Sequence, residues 1–334
     1  SFIVMVVALS CYGIVTCEGP LLSLKNVNII SNVTEWTIAH VHVGGLGWNG
    51  MFTFGMLYWL FPKLFRTKLY SKKMANQHFW IATLGIILYV IPIYIAGFVQ
   101  GMMWQEFNPD GTLVHGEFVK TVTDLKPFYM FRSIGGGIFL IGAIMMFYNL
   151  YKTAKQGKLQ ENEPAEAPAL QALEAGNHGK ESWHKRLESK PVRFMVLSIV
   201  AVAIGGLIEI VPTMIVKSNV PTIASVKPYT PLELEGRDLY IKEGCYNCHS
   251  QMIRPLRFET ARYGEYSKAG EFVYDHPFQW GSKRTGPDLA REGGLRSHYW
   301  HYQHMIRPKE ITPGSIMPAY PWMRDNDLDI STTK

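Results

Sequence analysis

Five segments of the sequence are almost free of charged residues, and they restrict the folds that the chain can adopt. They comprise residues 2–17, 36–61, 79–104, 128–151 and 192–216. A helix needs about 20 apolar residues to cross a bilayer, and the last four segments reach that length. The first is shorter because the sequence begins inside it, so we expect the chain to be the remainder of a longer protein. The pattern predicts an all-α membrane protein with about five transmembrane helices.

Lysine and arginine are distributed unevenly between the connecting loops. The loop 62–77 carries five of them and the stretch 152–191 carries seven, whereas residues 19–35 and 105–127 carry only one or two each. Cytoplasmic loops are enriched in these residues, so both basic stretches should be cytoplasmic. The fifth helix then runs outward and places everything after it on the outer side. Much of the net charge of +6 lies in these loops, and no pattern of basic and aromatic residues predicts a nucleic-acid partner.

A CxxCH motif is formed by Cys245, Cys248 and His249. This spacing is typical of a c-type haem attachment site, in which both thiols bind the haem and the histidine becomes an axial ligand of the iron. Met317 lies in a proline-flanked loop and is the candidate second ligand, since His/Met ligation raises the iron potential for electron transfer. Half a zinc site or a redox pair is the other interpretation, but no second CxxC or HxxxH supports zinc. We therefore expect a small soluble cytochrome c domain.

A second pair of candidate ligands, His40 and His42, lies near the start of the second apolar segment. Ionisable side chains within spanning helices are costly and usually functional. Residues at i and i+2 point about 200° apart on a helix, so one helix offers an imidazole to each of two groups. This arrangement suits two haems better than one metal ion. The alternative is a pair of histidines at the membrane interface.

Three further charged residues are candidates for supporting roles. Glu18 ends the first apolar segment and could orient His40, as carboxylates do for metal-bound histidines, serve a proton path, or lie at the interface. Arg132 begins the fourth apolar segment and could bind a haem propionate, or extend to the membrane surface. Glu209 lies within the fifth segment, where we expect a contact with another subunit.

The chain is divided into four parts by these patterns. Residues 1–152 form a membrane part of four helices, and residues 153–190 form a cytoplasmic linker. Residues 191–216 form a membrane anchor, and residues 217–334 form the haem c domain.

Longer stretches carry a resemblance to a known family. The first part contains TCEGP at 16–20, WTIAHVHVGGLGW at 36–48 and RSIGG at 132–136. The last part contains GLIEIVP at 206–212, LEGRDLY at 234–240, GCYNCHSQMIRP at 244–255, YDHPF at 274–278, WGSKRTGPDLAR at 280–291 and MPAYPW at 317–322. The chain resembles the cbb3-type cytochrome c oxidases, a branch of the haem–copper oxidases. Residues 1–152 resemble the end of the catalytic subunit, and residues 180–334 resemble the anchored mono-haem subunit, so two subunits are fused.

Roles for both membrane histidines are implied by the resemblance. His40 would be the catalytic proximal ligand of a high-spin haem b, and His42 would be an axial ligand of a low-spin haem b. Haem c would be covalently bound by the CxxCH motif. The copper ligands of the family lie on earlier helices that this sequence lacks, so the chain alone would be inactive.

A terminal oxidase of aerobic respiration in the bacterial inner membrane is the implied function, with haem c on the periplasmic side. Electrons would pass from a c-type cytochrome through haem c and low-spin haem b to a haem b–copper centre that reduces O2 to water, coupled to proton pumping. The implied partners are lipid, the remaining catalytic-subunit helices, and a di-haem cytochrome c subunit or a soluble cytochrome c. The alternatives are a nitric oxide reductase with a fused cytochrome c and a membrane-tethered electron carrier.

Overall fold

Helices dominate the part of the chain that the structure describes. The structure is a computed structural model that describes residues 2–159, 182–216 and 221–327. Within these ranges β-pairing is limited to two isolated bridges, Val33–Lys283 and Phe107–Leu113. The expectation of an all-α protein is confirmed. The predicted linker 153–190 lies for the most part outside the described residues.

Among the described residues, four helices are long and apolar enough to cross a membrane: α1 (Phe2–Ser23), α5 (Lys72–Gln105), α7 (Lys126–Gln156) and α9 (Pro191–Ile215). Between them lie the short helices α2 (Lys25–Ser31), α3 (Glu35–His42), α4 (Met51–Leu64), α6 (Phe118–Asp124) and α8 (Trp183–Glu188). These spans support a multi-pass membrane protein.

The second predicted spanning segment is helical throughout but is not a uniform α-helix. A π-helical segment, Val43–Gly50, separates α3 from α4, and both junction residues keep right-handed helical dihedrals. The segment is rich in glycine and follows His42 directly. Single π turns inside α-helices are frequent at functional sites. The π-helical segment therefore supports a functional role for the adjacent histidines.

Residues Ser1–Gln160, Pro228–Ser267 and Tyr274–Lys334 form one compact unit. In its membrane part, α5 packs against both α3 and α7. The Asn149 side chain of α7 accepts from the Ser71 N–H at 3.0 Å and donates to the Ser71 carbonyl at 2.8 Å. Outward-facing side chains such as Trp80 and Phe147 stay 60% and 71% exposed, which fits contact with lipid.

Short helices and loops make up the C-terminal portion of this unit. The helices are α10 (Pro231–Lys242), α11 (Arg257–Tyr263), α12 (His298–Ile306), α13 (Pro308–Ile311) and α14 (Trp322–Asp325). Phe258 of α11 shares a small apolar core with Val33 and with Trp104 of α5. The C-terminal portion therefore packs directly on residues of the membrane part.

The second unit comprises Glu161–Lys227 and Lys268–Val273. Its main described element is α9, whose described side chains are almost all exposed. Glu209 lies on this helix and is exposed as well. A spanning helix with so little buried surface has its apolar face available for lipid or another chain.

Candidate haem sites

Glu18 of α1 gathers three hydrogen-bond donors around its carboxylate. Its Oε1 accepts from Trp36 Nε1 at 2.6 Å, and its Oε2 accepts from the Tyr94 hydroxyl. Oε2 also lies 3.0 Å from Nδ1 of His40, and because an ionised carboxylate only accepts, His40 donates from Nδ1. This contact leaves Nε2 of His40 for a metal, and a carboxylate partner of this kind orients the ring and increases its basicity as a ligand.

His42 has different neighbours. Its Nδ1 lies 2.7 Å from the Ile38 carbonyl, to which it donates. Its Nε2 lies 3.0 Å from the Tyr89 hydroxyl, and the two rings stack with centroids 4.6 Å apart. His40 thus contacts α1 while His42 contacts α5, in agreement with their i, i+2 spacing. Iron at Nε2 of His42 would take the place of the Tyr89 hydroxyl.

The CxxCH motif forms a tight turn that begins after Gly244, whose φ of 71° is left-handed. The His249 N–H donates to the Cys245 carbonyl at 2.9 Å, which closes the turn, and both thiols are free. Nδ1 of His249 donates to the Pro287 carbonyl at 2.8 Å. Burial lowers the pKa of His249, so its ring is neutral near pH 7 and Nε2 can bind iron.

Gly286 packs against the face of the His249 ring. A Cβ atom at Gly286 would lie 2.2 Å from Cε1 of that ring, closer than any side chain allows. The three histidines thus share one feature, since each Nδ1 has a fixed acceptor and only Nε2 could bind a metal, although at His42 the Tyr89 hydroxyl occupies Nε2. These donor sets fit axial ligands of haem iron, and the two thiols fit covalent attachment of haem c.

Met317 is half-buried in a loop held at two points. Its N–H donates to Ser315 Oγ at 3.2 Å, and the Tyr320 N–H donates to the Met305 carbonyl of α12 at 2.8 Å. Ile316, next to Met317, lines an open groove of about 520 Å³.

Arg132 lines the same groove, together with Lys126, Tyr129, Met130, Ser133 and Ile134. Its NH1 lies 3.6 Å from Oε2 of the buried Glu35. The predicted propionate partner therefore has a carboxylate partner within the chain, while its basic neighbour Lys126 faces the same space.

An ionic network next to the CxxCH motif was not predicted from the sequence. Arg284, only 1% exposed, donates to Ser250 Oγ at 2.7 Å and to the carboxylates of Glu259 and Asp288 at 3.0 and 3.3 Å. Arg254 also pairs with Glu259. The i, i+4 spacing of Arg284 and Asp288 was the only local sequence signal of this network. The pairing of Arg284 with Glu259 gave none, because Glu259 lies on a different element.

Two family models match different parts of the chain. Residues 1–138 match Cytochrome C and Quinol oxidase polypeptide I, and residues 184–334 match Cytochrome C oxidase, mono-heme subunit/FixO. Each covers less than half of the 334 residues.

Several curated proteins are similar to the first half of the chain. A cytochrome c oxidase subunit 1 homolog of Agrobacterium tumefaciens (strain T37) is 47% identical over 172 residues, which are 51% of this chain and 32% of that protein. The cbb3-type cytochrome c oxidase subunit CcoN1 of Stutzerimonas stutzeri is 43% identical over 162 residues, which are 48% of this chain and 34% of that protein.

A more distant relative belongs to another enzyme. A nitric oxide reductase subunit of Stutzerimonas stutzeri is 27% identical over 136 residues, 39% of this chain and 28% of that protein. The chain spans about a third of the length of the curated relatives it matches. These similarities support a component of a cbb3-type cytochrome c oxidase, with likeness to the catalytic subunit up to residue 138 and to the mono-haem subunit from residue 184.

Proposed function

We propose that the chain joins the C-terminal helices of a cbb3-type catalytic subunit to its mono-haem cytochrome c subunit. The observation that carries the proposal is the shared geometry of the three histidines. His40, His42 and His249 each have Nδ1 bound to a fixed acceptor, so that Nε2 is the nitrogen that would bind iron, in place of the Tyr89 hydroxyl at His42. Two of them lie on one membrane helix and the third follows the haem c thiols.

The residue roles are those that the resemblance implies, and this geometry is compatible with them. His40 holds the iron of the high-spin haem b at the oxygen site, and Glu18 orients its ring. His42 holds the iron of the low-spin haem b. Cys245 and Cys248 bind haem c covalently. When bound, these haems supply one-electron redox chemistry at potentials set by their axial ligands.

Two residues complete the haem c and propionate sites. Met317 pairs with His249 as the second axial ligand, in a loop held by Ser315 and Met305. Arg132 meets a haem propionate at the groove, where its guanidinium suits a second carboxylate beside Glu35.

In the assembled enzyme, His249 would hold the group that accepts electrons from the donor, and His40 would hold the group at which O2 is reduced. Copper and its ligands come from the remaining helices of the catalytic subunit. The donor is a di-haem cytochrome c subunit or a soluble cytochrome c. We propose the bacterial inner membrane as the location, with residues 217–334 as a periplasmic cytochrome c domain and proton translocation coupled to O2 reduction.

Nitric oxide reduction is the second candidate, because a subunit of such a reductase is also similar to the chain. The higher identity to the oxidase subunits, 47% and 43% against 27%, favours the oxidase. The mono-haem oxidase match over residues 184–334 favours it further.

A haem and metal count on the complete complex, purified from membranes, tests the proposal. We expect two haems b for each haem c of this chain, after subtraction of any companion cytochrome, together with one copper. Pyridine haemochrome spectra measure the haems, and copper and non-haem iron are assayed separately. The same haems with non-haem iron and no copper would indicate a nitric oxide reductase. Haem c without haem b would indicate a tethered carrier.

Met317→Ala should lower the midpoint potential of haem c sharply, because the thioether ligand raises that potential. Redox titration of the haem c band measures the change. Met323→Ala is the matched control, since Met323 lies in the same portion of the chain and has no proposed ligand role. A Met317→Ala potential equal to that of the control would contradict the assignment.

A further inference from the structure

Gln100 is a buried polar side chain at the place where three parts of the chain meet. It lies on α5, is fully buried, and uses both ends of its amide. Its Oε1 accepts from the Glu35 N–H at 2.8 Å, and its Nε2 donates to the Arg284 carbonyl at 3.2 Å. One side chain therefore links the start of α3 to residues 283–287, called here the connecting segment.

At its other end, the connecting segment holds the haem c histidine. The Pro287 carbonyl accepts from His249 Nδ1 at 2.8 Å. The Gly286 N–H donates to the Cys248 carbonyl at 2.8 Å, and Gly286 packs on the imidazole. The carbonyl bound by Gln100 and the carbonyl bound by His249 are only three positions apart in the sequence.

On the membrane side, Gln100 holds the helix that carries His42. Glu35 is the first residue of α3, and the first N–H groups of a helix have no partner within it. Gln100 supplies one such partner from α5. Gly97, one turn earlier on α5, brings the two backbones together, since a Cβ there would lie 2.0 Å from the Trp36 nitrogen.

Direct backbone contacts extend the same junction. The Arg284 N–H donates to the Val33 carbonyl at 2.8 Å, beside the Val33–Lys283 bridge. These bonds run from main chain to main chain, so no substitution removes them selectively. The Gln100 amide, by contrast, is a side-chain contact of the junction, and a single substitution can remove it without changing the main chain.

We propose that Gln100 is a positioning residue that fixes the group held by His249 relative to the group held by His42, and so sets the rate of electron transfer between them. The proposal rests on the proposed function. The step moves one electron from ferrous iron at His249 to ferric iron at His42. The first iron is oxidised and the second is reduced, and no bond or proton changes place.

Gln100→Met in the complete complex tests this proposal, because methionine keeps the length of the side chain and removes both hydrogen bonds. After rapid reduction of haem c, we expect electron arrival at haem b to be several-fold slower, because the rate of electron transfer falls steeply as the distance between the two groups increases. Both midpoint potentials should stay unchanged. Amide hydrogen exchange in the connecting segment should become faster.

Gln105→Met is the matched control. Gln105 lies on the same helix, but its side chain donates only to the Gly101 carbonyl of that helix, at 2.8 Å. We expect wild-type transfer and exchange. If Gln100→Met does not assemble, Gln100→Leu decides the question, because leucine also lacks both hydrogen-bonding groups and adds no charge.

A wild-type transfer rate in an assembled Gln100 variant would overturn the proposal. A change in potential large enough to explain the slower rate would also overturn it, because the effect would then be electrostatic. Failure of the proposed function would give a different result from failure of this proposal, because the haem count would then find no haem b in the wild-type complex.

Discussion

Arg284→Met is expected to destabilise the C-terminal portion of the first compact unit by about 3–5 kcal/mol, the usual cost of breaking a buried ion pair. The guanidinium is 1% exposed and lies 3.0 Å from Glu259 and 3.3 Å from Asp288. Without it, both carboxylates stay buried with less compensation. Ser250 and the Met252 carbonyl also lose a donor.

Thermal unfolding of the purified complex, followed at the haem c Soret band, measures this loss. A change of 1 kcal/mol shifts the midpoint by roughly 4–8 °C in a domain of about 100 residues. Arg296→Met is the control, because Arg296 pairs with Glu292 at 3.2 Å while 47% exposed, and exposed pairs contribute about 0–1 kcal/mol. Equal shifts in the two variants would mean that the buried network does not stabilise this portion.

Because of the same network, the stability of this portion should depend on pH. Burial raises the pKa of Glu259, but the Arg284 and Arg254 guanidinium groups more than offset it, and the net pKa lies below the ordinary 4.5. A carboxyl whose folded pKa is lowered stabilises the fold above its unfolded pKa and loses that contribution as the pH falls through the folded pKa. Wild type should therefore lose stability more steeply than Arg284→Met below about pH 4.5, and parallel curves would contradict this origin.

Much of the membrane architecture could be predicted because hydrophobicity is a local property of the sequence. Four of the five apolar segments coincide with long helices, although α1 continues to Ser23, beyond the predicted residue 17. The i, i+2 spacing correctly predicted that the His40 and His42 side chains point in different directions, because helix geometry alone fixes the angle between them. The π segment after His42 could not be predicted, since a uniform α-helix satisfies the same apolar pattern.

The buried polar partners could not be predicted, because pairing across a fold depends on tertiary contacts that periodicity does not encode. Gln100 and Glu35 are 65 residues apart, and Gln100 and Arg284 are 184 apart. Glu259 looks in the sequence like an ordinary helix residue of α11, yet it is 1% exposed between two arginines. The partners of Glu18 could be predicted only in part. The sequence suggested His40 but gave no sign of Trp36 or Tyr94.

Glu18→Gln is expected to lower O2 reduction by the complete complex by about 10–100-fold, the usual effect of losing a partner of a metal-bound histidine. The carboxylate receives donors from Trp36, Tyr94 and His40. An amide accepts only through its oxygen, so its NH2 group would face at least one of these donors. A spanning carboxylate costs about 2.5–3.5 kcal/mol at a helix centre, and the three donors offset that cost.

Oxygen consumption and the resonance Raman iron–histidine stretch of the ferrous complex separate the two roles open to Glu18. If the carboxylate orients His40 and strengthens it as a ligand, both the rate and the stretching frequency should fall in Glu18→Gln. Glu106→Gln is the control, since Glu106 forms a more exposed pair with His115 at 3.3 Å. A lower rate with an unchanged frequency would mean that Glu18 acts on proton movement, because the bond from His40 to iron would then be intact.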